Sequence, residues 1–255
     1  MQMFDLSGKV AIVTGGNGGI GLGMAQGLAA AGASIAVAAR NQQKSQGAVE
    51  ALLAAGAPRG EAFTVDVTNP DSAKAMAKAV VEKLGRIDIL INNAGTNIRK
   101  RPEDLPVEDW HTVLDTNLSS AFICSKACYP AMRDGGGGKI LNNGSMLSIF
   151  GSPWGSAYAS SKGGVVQLTK SLATAWAADN IQVNCFLPGW IDTELTQQAR
   201  RDVDTLHEHV LNRTPMDRWG RPEDLSGIAV FLASSASDFV TGTAIPVDGG
   251  FSINI

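Results

Sequence analysis

The segment Thr14–Gly21, with the sequence TGGNGGIG, follows the apolar run Lys9–Thr14 and opens a helical pattern over residues 20–31. Six of the nine residues from 15 to 23 are glycine. Glycine allows tight turns and close backbone approach, which a Cβ atom would block. A glycine-rich turn between a strand and a helix also points the helix N-terminus at a bound phosphate. Glycine alone would fit a plain tight turn, but this position after the first strand favours a dinucleotide-binding βα unit.

The alternation of short apolar runs with longer helical patterns continues along the chain. Further strands are predicted at Ser34–Ala39, Ala62–Val65, Ile87–Ile91, Lys139–Asn142, Ile181–Phe186 and Thr243–Val247. Further helices are predicted over residues 42–55, 71–84, 107–133 and 157–179. Repeated strand–helix–strand units form right-handed crossovers and a parallel sheet that is covered on both faces. The predicted fold is therefore α/β and Rossmann-type: a doubly wound, seven-stranded parallel sheet flanked by helices on both faces.

No linker-like segment divides the chain, so we expect a single dinucleotide-binding catalytic domain over residues 1–255. Gly135–Gly138 is a low-complexity run that fits a turn between a helix and a strand. Residues 192–224 are polar, contain two prolines and show no regular pattern. They are the candidate for a mobile substrate flap.

Composition excludes several classes of function. The chain has 255 residues and 21 basic against 24 acidic side chains, a net charge of −3, which lacks the basic footprint of a nucleic-acid-binding protein. The three cysteines, Cys124, Cys128 and Cys185, have no paired spacing and are expected to be buried thiols. Residues 1–8 do not have the pattern of a signal peptide, and no charge-free apolar run reaches the roughly 18 residues of a membrane span. We expect a cytoplasmic protein.

The end of the second predicted strand bears on the choice of dinucleotide. Sites for NAD usually place Asp or Glu there, where the carboxylate accepts a hydrogen bond from the ribose hydroxyl. Here the strand ends in Ala38-Ala39-Arg40-Asn41, which contains no carboxylate that would repel a 2′-phosphate. Arg40 offers a planar, permanently charged donor. The sequence favours NADP, and NAD remains possible if Arg40 is only a solvated charge.

Tyr158 and Lys162 stand four residues apart in a helical pattern and therefore share a helix face. A tyrosine with a pKa near 10 needs about 4 kcal/mol to act as a base near pH 7. An ammonium about 4 Å away supplies on that order at an effective dielectric constant near 20. Such a spacing is also common in ordinary surface pairs, so the pair is informative only together with other motifs.

Several motifs together resemble the short-chain dehydrogenase/reductase family. They span the chain from Gly8 to Gly250 and comprise Thr14–Gly21, Asn92–Gly95, Asn117, Ser145, Tyr158–Lys162 and Pro188-Gly189. The resemblance implies hydride transfer between a nicotinamide cofactor and a secondary alcohol or ketone, without a metal. It also implies a homotetramer, with the predicted helices over residues 107–133 and 157–179 as contacts and the C-terminus near another interface.

The resemblance assigns catalytic roles to four residues. Tyr158 would act as the general acid and base, and Ser145 would hold the substrate oxygen. Lys162 would lower the pKa of the tyrosine and bind the nicotinamide ribose, and Asn117 would anchor a water. The implied cofactor contacts are Gly15, Asn17, Gly18, Gly19, Ile20, Gly21, Arg40, Asn41, Asp66, Val67, Asn93, Ala94, Gly95, Tyr158, Lys162, Pro188, Gly189, Ile191 and Thr193.

The substrate is indicated less directly. Three stretches, 97–101, 144–148 and 196–198 with 218–220, are similar to gluconate and deoxygluconate dehydrogenases within this family. The candidate substrate residues are Ser145, Leu147, Tyr158, Arg99, Trp154 and Trp190, and Arg99 or Arg101 could pair with a substrate carboxylate. A polyol or a small ketone is also compatible with the sequence. The alternatives left open are a 3-oxoacyl carrier-protein reductase, a glucose dehydrogenase and a non-catalytic NADP-sensing regulator.

Two local features remain without an assigned function. Gly163-Gly164 follows the candidate lysine and indicates either a close helix approach or an ordinary packing variation. His207 and His209 stand two residues apart, so they do not share a helix face. We therefore expect no metal site there.

Overall fold

The computed structural model describes residues 2–254 and contains one seven-stranded parallel sheet in the order β3-β2-β1-β4-β5-β6-β7. The strands are β1 Val10–Thr14, β2 Ser34–Ala39, β3 Gly60–Thr64, β4 Ile89–Asn92, β5 Gly138–Asn143, β6 Ile181–Pro188 and β7 Ala244–Val247. The predicted sheet is confirmed, with strand ends shifted by one or two residues. The strand order reverses between β1 and β4, the position at which open parallel sheets bind ligands.

The helices cover both faces of the sheet, as predicted. They are α1 Gly19–Ala30, α2 Gln42–Ala54, α3 Pro70–Leu84, α4 Val107–Leu114, α5 Ser120–Asp134, α6 Ser156–Trp176, α7 Glu194–Asp202, α8 Leu206–Arg213 and α9 Ser226–Ala233. One core lies beneath α1, α2 and α9, and the other lies beneath α3, α5 and α6. Successive strand residues serve opposite cores, since Ala11 and Val13 join the first while Val10 and Ile12 join the second.

Three segments differ from the sequence expectation. The predicted helix over 107–133 contains a π-helical turn at Asp115–Ser119, which turns Asn117 into the interior. Residues 192–224 are not wholly irregular, because they contain α7 and α8. The side chain of Thr193 accepts a hydrogen bond from the amide of Thr196 and so starts α7. Helix α9 was not predicted, because its nearly uniform apolar sequence has no helical periodicity.

A buried polar network joins the centre of the sheet near its carboxyl edge. Asn92 Nδ2, at the end of β4, donates to Asn142 Oδ1 of β5 at 2.8 Å and to Ser125 Oγ of α5 at 2.9 Å. Asn142 Nδ2 in turn donates to Thr169 Oγ1 of α6 at 2.9 Å. Buried amides need such partners, so these bonds fix α5 and α6 relative to the strand ends.

Within residues 2–254, none of the helices is both long and apolar enough to cross a membrane. The three cysteines are free and buried, in agreement with the sequence expectation, and burial raises the pKa of each thiol.

Gly164 lies close to Leu118, since a Cβ at residue 164 would come within 2.7 Å of Leu118 Cδ2. Close packing within the chain therefore accounts for this glycine.

Gly23 is expected to tolerate no side chain. A Cβ there would lie 2.4 Å from the carbonyl oxygen of Pro222, and backbone atoms at that position cannot move cheaply. We predict that Gly23→Ala lowers the free energy of unfolding by about 1–3 kcal/mol, the usual cost of overpacking. The matched control is Gly47→Ala on the exposed face of α2, where nothing lies within 4 Å of the added Cβ. That control should gain about 0.5–1 kcal/mol. Urea denaturation followed by circular dichroism measures both changes, and equal stabilities would contradict the packing argument.

Candidate active site

The glycine loop forms an open cradle after β1. Gly15 and Gly19 have φ angles of +63° and +51°, in the left-handed region that favours glycine. The N-cap of α1 is Gly18, and no side chain of the described residues caps this helix. The first amides of α1 are therefore available to an anion, and the helix dipole favours negative charge at this end. This geometry fits the pyrophosphate of a dinucleotide.

Thr14 joins the loop to the neighbouring strand. Its Oγ1 donates to the carbonyl of Ile91 at 3.2 Å and accepts from the amides of Asn93 at 2.9 Å and Ala94 at 3.1 Å. Gly21 packs behind the loop, where a Cβ would lie 2.5 Å from Asn93 Nδ2. Four loop glycines were predicted to contact the cofactor: Gly15, Gly18, Gly19 and Gly21. Of these four, Gly21 lines neither cavity of the cleft described below. The structure therefore gives Gly21 a packing role.

One end of the cleft has a cavity of about 800 Å³ that is lined by the predicted residues Arg40, Asn41, Asp66 and Val67. Asn41 caps α2, because its Oδ1 accepts from the amide of Lys44 at 2.9 Å. Hydrogen bonds from Thr68 hold the pKa of Asp66 below its usual value, with a smaller contribution from the charge of Arg40. The guanidinium of Arg40 and the N-terminus of α2 lie in the same wall and together favour an anionic group.

The other end is a cavity of about 330 Å³ that continues the first, because both are lined by Gly15, Asn17 and residues 94–96. Most of the predicted cofactor residues lie here: Gly15, Asn17, Gly18, Gly19, Ile20, Asn93, Ala94, Gly95, Tyr158, Lys162, Pro188, Gly189, Ile191 and Thr193. The two cavities form one groove along the carboxyl ends of the strands. Its lining fits a dinucleotide with the nicotinamide beside Tyr158.

Lys162 is a buried cation beneath this cavity. It is 3% exposed, and its Nζ donates to the carbonyl of Asn143 at 2.6 Å. Nζ lies 5.6 Å from the ring centroid of Tyr158, one turn earlier on α6. Burial lowers the pKa of Lys162 to about 8. The ammonium therefore loses its proton at a lower pH than an exposed lysine and is still mostly charged at neutral pH.

The pKa of Tyr158 differs from the sequence expectation. Burial raises it, while the hydroxyl of Ser145 and the positive charge of Arg99 act to lower it. Lys162 was expected to provide the lowering charge, but in this structure its ammonium is directed to the Asn143 carbonyl. The cation that stabilises the phenolate from the substrate side is Arg99.

Asn117 connects three elements around the pair. Its Oδ1 accepts from the amide of Thr96 at 2.7 Å, and its Nδ2 donates to the Thr96 carbonyl at 2.9 Å and to Ser161 Oγ at 3.0 Å. Asn117 lines neither cavity, so its side chain positions the loop after β4 against α6. The expected role in anchoring a water is not tested by these contacts.

A second pocket of about 320 Å³ meets the groove at Ser145 and Tyr158. All six predicted substrate residues line it: Arg99, Ser145, Leu147, Trp154, Tyr158 and Trp190. Arg101 lies outside the lining, where it pairs with Glu103 at 3.1 Å and stacks on Trp154. Of the two arginines that the sequence offered for a substrate carboxylate, Arg99 is the one that reaches the pocket.

Sequence reasoning missed contributions from the segment 192–224. Lys44 Nζ forms an ion pair with Glu194 of α7 at 2.8 Å, which bridges the groove. Arg213, at the end of α8, lines the substrate pocket together with Phe150 and Phe251. A basic residue at a polar helix end carries no signal of a pocket by itself. These contacts arise only when segments far apart in the chain come together.

The chain matches known proteins over nearly its whole length. The family model adh_short_C2, described as Enoyl-(Acyl carrier protein) reductase, covers residues 15–252. A 2-dehydro-3-deoxy-D-gluconate 5-dehydrogenase of Bacillus subtilis is 43% identical over 97% of this chain and 96% of its own. A short-chain type dehydrogenase/reductase from Mycobacterium marinum is 38% identical, with a TM-score of 0.94 and 98% of each chain covered. A gluconate 5-dehydrogenase from Burkholderia cenocepacia, solved with NADP and tartrate, is 37% identical, with a TM-score of 0.94 and 99% and 98% covered.

Arg99→Gln is predicted to raise the pKa of Tyr158, because it removes a positive charge that stabilises the phenolate. The chain has two tyrosines, so a Tyr129→Phe background leaves Tyr158 as the single phenol. Titration of the phenolate absorbance then reads this pKa directly. The control is Lys100→Gln, which removes an equal charge at the adjacent position but from an ion pair with Asp109 at 2.9 Å. The midpoint should move to higher pH in the Arg99 variant alone; an unchanged or lower midpoint would refute the assignment.

Proposed function

The chain belongs to the short-chain dehydrogenase/reductase family, and we propose that its substrate is a sugar acid with a secondary hydroxyl oxidised to a ketone. It is an NAD(P)-dependent oxidoreductase that interconverts a secondary alcohol and a ketone. The observation that carries the proposal is the position of Tyr158 and Ser145, which line both the dinucleotide groove and the substrate pocket. A substrate oxygen held there meets a proton donor and acceptor beside the cofactor.

In the direction of oxidation, Tyr158 acts as the phenolate and takes the proton of the substrate hydroxyl. Ser145 donates a hydrogen bond to the same oxygen and fixes its position. NADP, when bound, supplies the nicotinamide carbon that accepts the hydride from the substrate carbon. When the cofactor is bound, Lys162 would hold the nicotinamide ribose, the role that the family resemblance implies. In reduction, Tyr158 returns the proton to the developing alkoxide.

The preference for NADP rests on the adenosine end of the groove. Arg40 provides a guanidinium for the 2′-phosphate, and the capped N-terminus of α2 adds its dipole. Lys44 lines the same wall, where its ammonium is paired with Glu194. No carboxylate follows directly at the end of β2 to repel the phosphate, because the residues there are Ala39, Arg40 and Asn41.

The choice of a sugar acid is supported by two independent observations. The relatives from Bacillus subtilis and Burkholderia cenocepacia are named for gluconate-type acids. The residues that line the substrate pocket include Arg99 and Arg213 but no Asp or Glu. A partly enclosed pocket with this charge attracts an anion.

The assembly is proposed to be a homotetramer, as the family resemblance implies, and its location to be the cytoplasm, as the cysteine usage favours. Several large apolar side chains are exposed on this protomer where such contacts were expected: Val107 at the start of α4, Phe122 on α5 and Ile253 near the C-terminus. Exposed apolar groups of this size are typical of surfaces that are covered by a partner. A small-molecule substrate and further copies of this chain are the partners that we infer.

Tyr158→Phe is predicted to abolish turnover while NADPH binding stays nearly unchanged, because the phenol oxygen moves the proton and the ring is retained. Turnover is followed by nicotinamide absorbance with aldonates, polyols, simple ketones and 3-oxoacyl thioesters. We expect wild-type activity with aldonates and a loss of at least about 100-fold in the variant. Full activity of the variant would overturn the mechanism. A preference for thioesters would favour the carrier-protein reductase, and NADPH binding without any turnover would favour the regulator.

A further inference from the structure

Arg213 is held in the wall of the substrate pocket by two aromatic rings. Its Cζ lies 5.1 Å from the ring centroid of Phe150 and 4.5 Å from that of Phe251. The two rings pack edge to face, with centroids 6.5 Å apart. Phe150 follows β5, Phe251 lies near the C-terminus, and Arg213 ends α8. Three separate segments therefore converge to orient one guanidinium group.

One nitrogen of this half-buried arginine lacks a hydrogen-bond partner among the described residues. This nitrogen is Nε, which is itself buried. Two other arginines of residues 192–224 are paired with carboxylates, Arg200 with Asp192 and Arg218 with Asp224. A buried donor without a partner costs roughly 1–3 kcal/mol, so an arginine kept in this state indicates a ligand that completes it. The planar fork of arginine matches a carboxylate in a bidentate manner.

The surrounding pocket reinforces this interpretation. Its lining contains Arg99 and Arg213 but no Asp or Glu, so neither guanidinium is neutralised from within. Asn97 also lines the pocket, and its Oδ1 is buried without a partner among the described residues. The Nε donor of Arg213 and the Oδ1 acceptor of Asn97 are thus both without a partner among the described residues around this pocket. Such a pair is expected for a site that binds a polyhydroxylated anion.

Arg99 and Arg213 differ in their effect on Tyr158, the group that exchanges the proton with the substrate. The charge of Arg99 acts on Tyr158, whereas Arg213 is not among the groups that shift that pKa. The relative from Bacillus subtilis is named as the 5-dehydrogenase of a gluconate-type acid. The carboxyl carbon of such an acid is C1, so the carboxylate and the oxidised carbon C5 lie apart on the carbon chain of that substrate. A carboxylate therefore belongs away from Tyr158, while Arg99 stays beside the reacting oxygen.

We propose that Arg213 binds the carboxylate of the sugar acid and sets the preference of the site for acids over neutral sugars, an assignment that rests on the proposed function. Because Arg213 belongs to α8, binding of the carboxylate also fixes the flap segment over the pocket. A purely structural role for Arg213 would be limited to stacking between Phe150 and Phe251. Such a role would not depend on the charge of the substrate.

The test compares D-gluconate with D-gluconamide, which has the same carbon chain without the negative charge. The ratio of kcat/KM for the acid to that for the amide is measured in wild type, Arg213→Gln and Arg213→Lys. Loss of a charged hydrogen bond corresponds to about 10- to 100-fold. We expect that Arg213→Gln lowers this ratio by that factor, chiefly through KM for the acid, while kcat/KM for the amide changes little. Arg213→Lys keeps the charge without the fork and should give an intermediate ratio.

Arg101→Gln serves as the matched control, because Arg101 also stacks on an aromatic ring near the pocket but is already paired with Glu103. The ratio of kcat/KM for the acid to that for the amide should be the same in Arg101→Gln as in wild type. The NADPH affinity of each variant reports whether the groove is intact. Equal ratios in wild type and both Arg213 variants, or an equal loss for acid and amide, overturn the assignment of Arg213 but leave the proposed function standing. Failure of the wild type to oxidise any aldonate overturns the proposed function and this assignment together.

Discussion

The site is organised around the buried ammonium of Lys162. A cation in this position has lost most of its hydration, and the carbonyl of Asn143 replaces only part of it. Because burial disfavours the charged form, the pKa of Lys162 falls to about 8. The fold holds this costly arrangement through the asparagine bonds that fix α6 to the neighbouring strand and loop. Burial of Lys162 therefore couples the stability of the folded chain to the protonation of the site.

Basic side chains line the groove and the substrate pocket, although the chain has a net charge of −3. Arg40 and Lys44 lie at the adenosine end, and Arg99 and Arg213 lie around the substrate pocket. The flap connects the two regions, because Glu194 at its start pairs with Lys44 and Arg213 at the end of α8 enters the pocket. Binding of cofactor phosphate and of substrate carboxylate would thus both act on residues 192–224, the proposed substrate flap.

Much of the fold could be predicted from the sequence, since the strands and the phosphate loop depend on short local patterns. The catalytic roles of Ser145, Tyr158 and Lys162 rest on the family resemblance and stay predictions, and the structure brings these three residues to one cavity. Alternation of apolar runs gave the strands, and the glycines of 15–21 marked the phosphate loop. What was missed depends on contacts between distant segments. The π turn at Asp115–Ser119 has no sequence signature of its own, yet it places Asn117 against Thr96 and Ser161. The role of Arg213 follows from two phenylalanines more than 35 residues away on either side of it in the chain.

The central claim is that a hydride passes directly from the substrate carbon to the nicotinamide while Tyr158 takes the proton. Oxidation of an aldonate labelled with deuterium at the oxidised carbon tests this most directly. The label should appear on C4 of the nicotinamide in the NADPH product, with none released to water, because only the hydroxyl proton passes through Tyr158. Appearance of the deuterium in solvent, with unlabelled NADPH, would contradict the account.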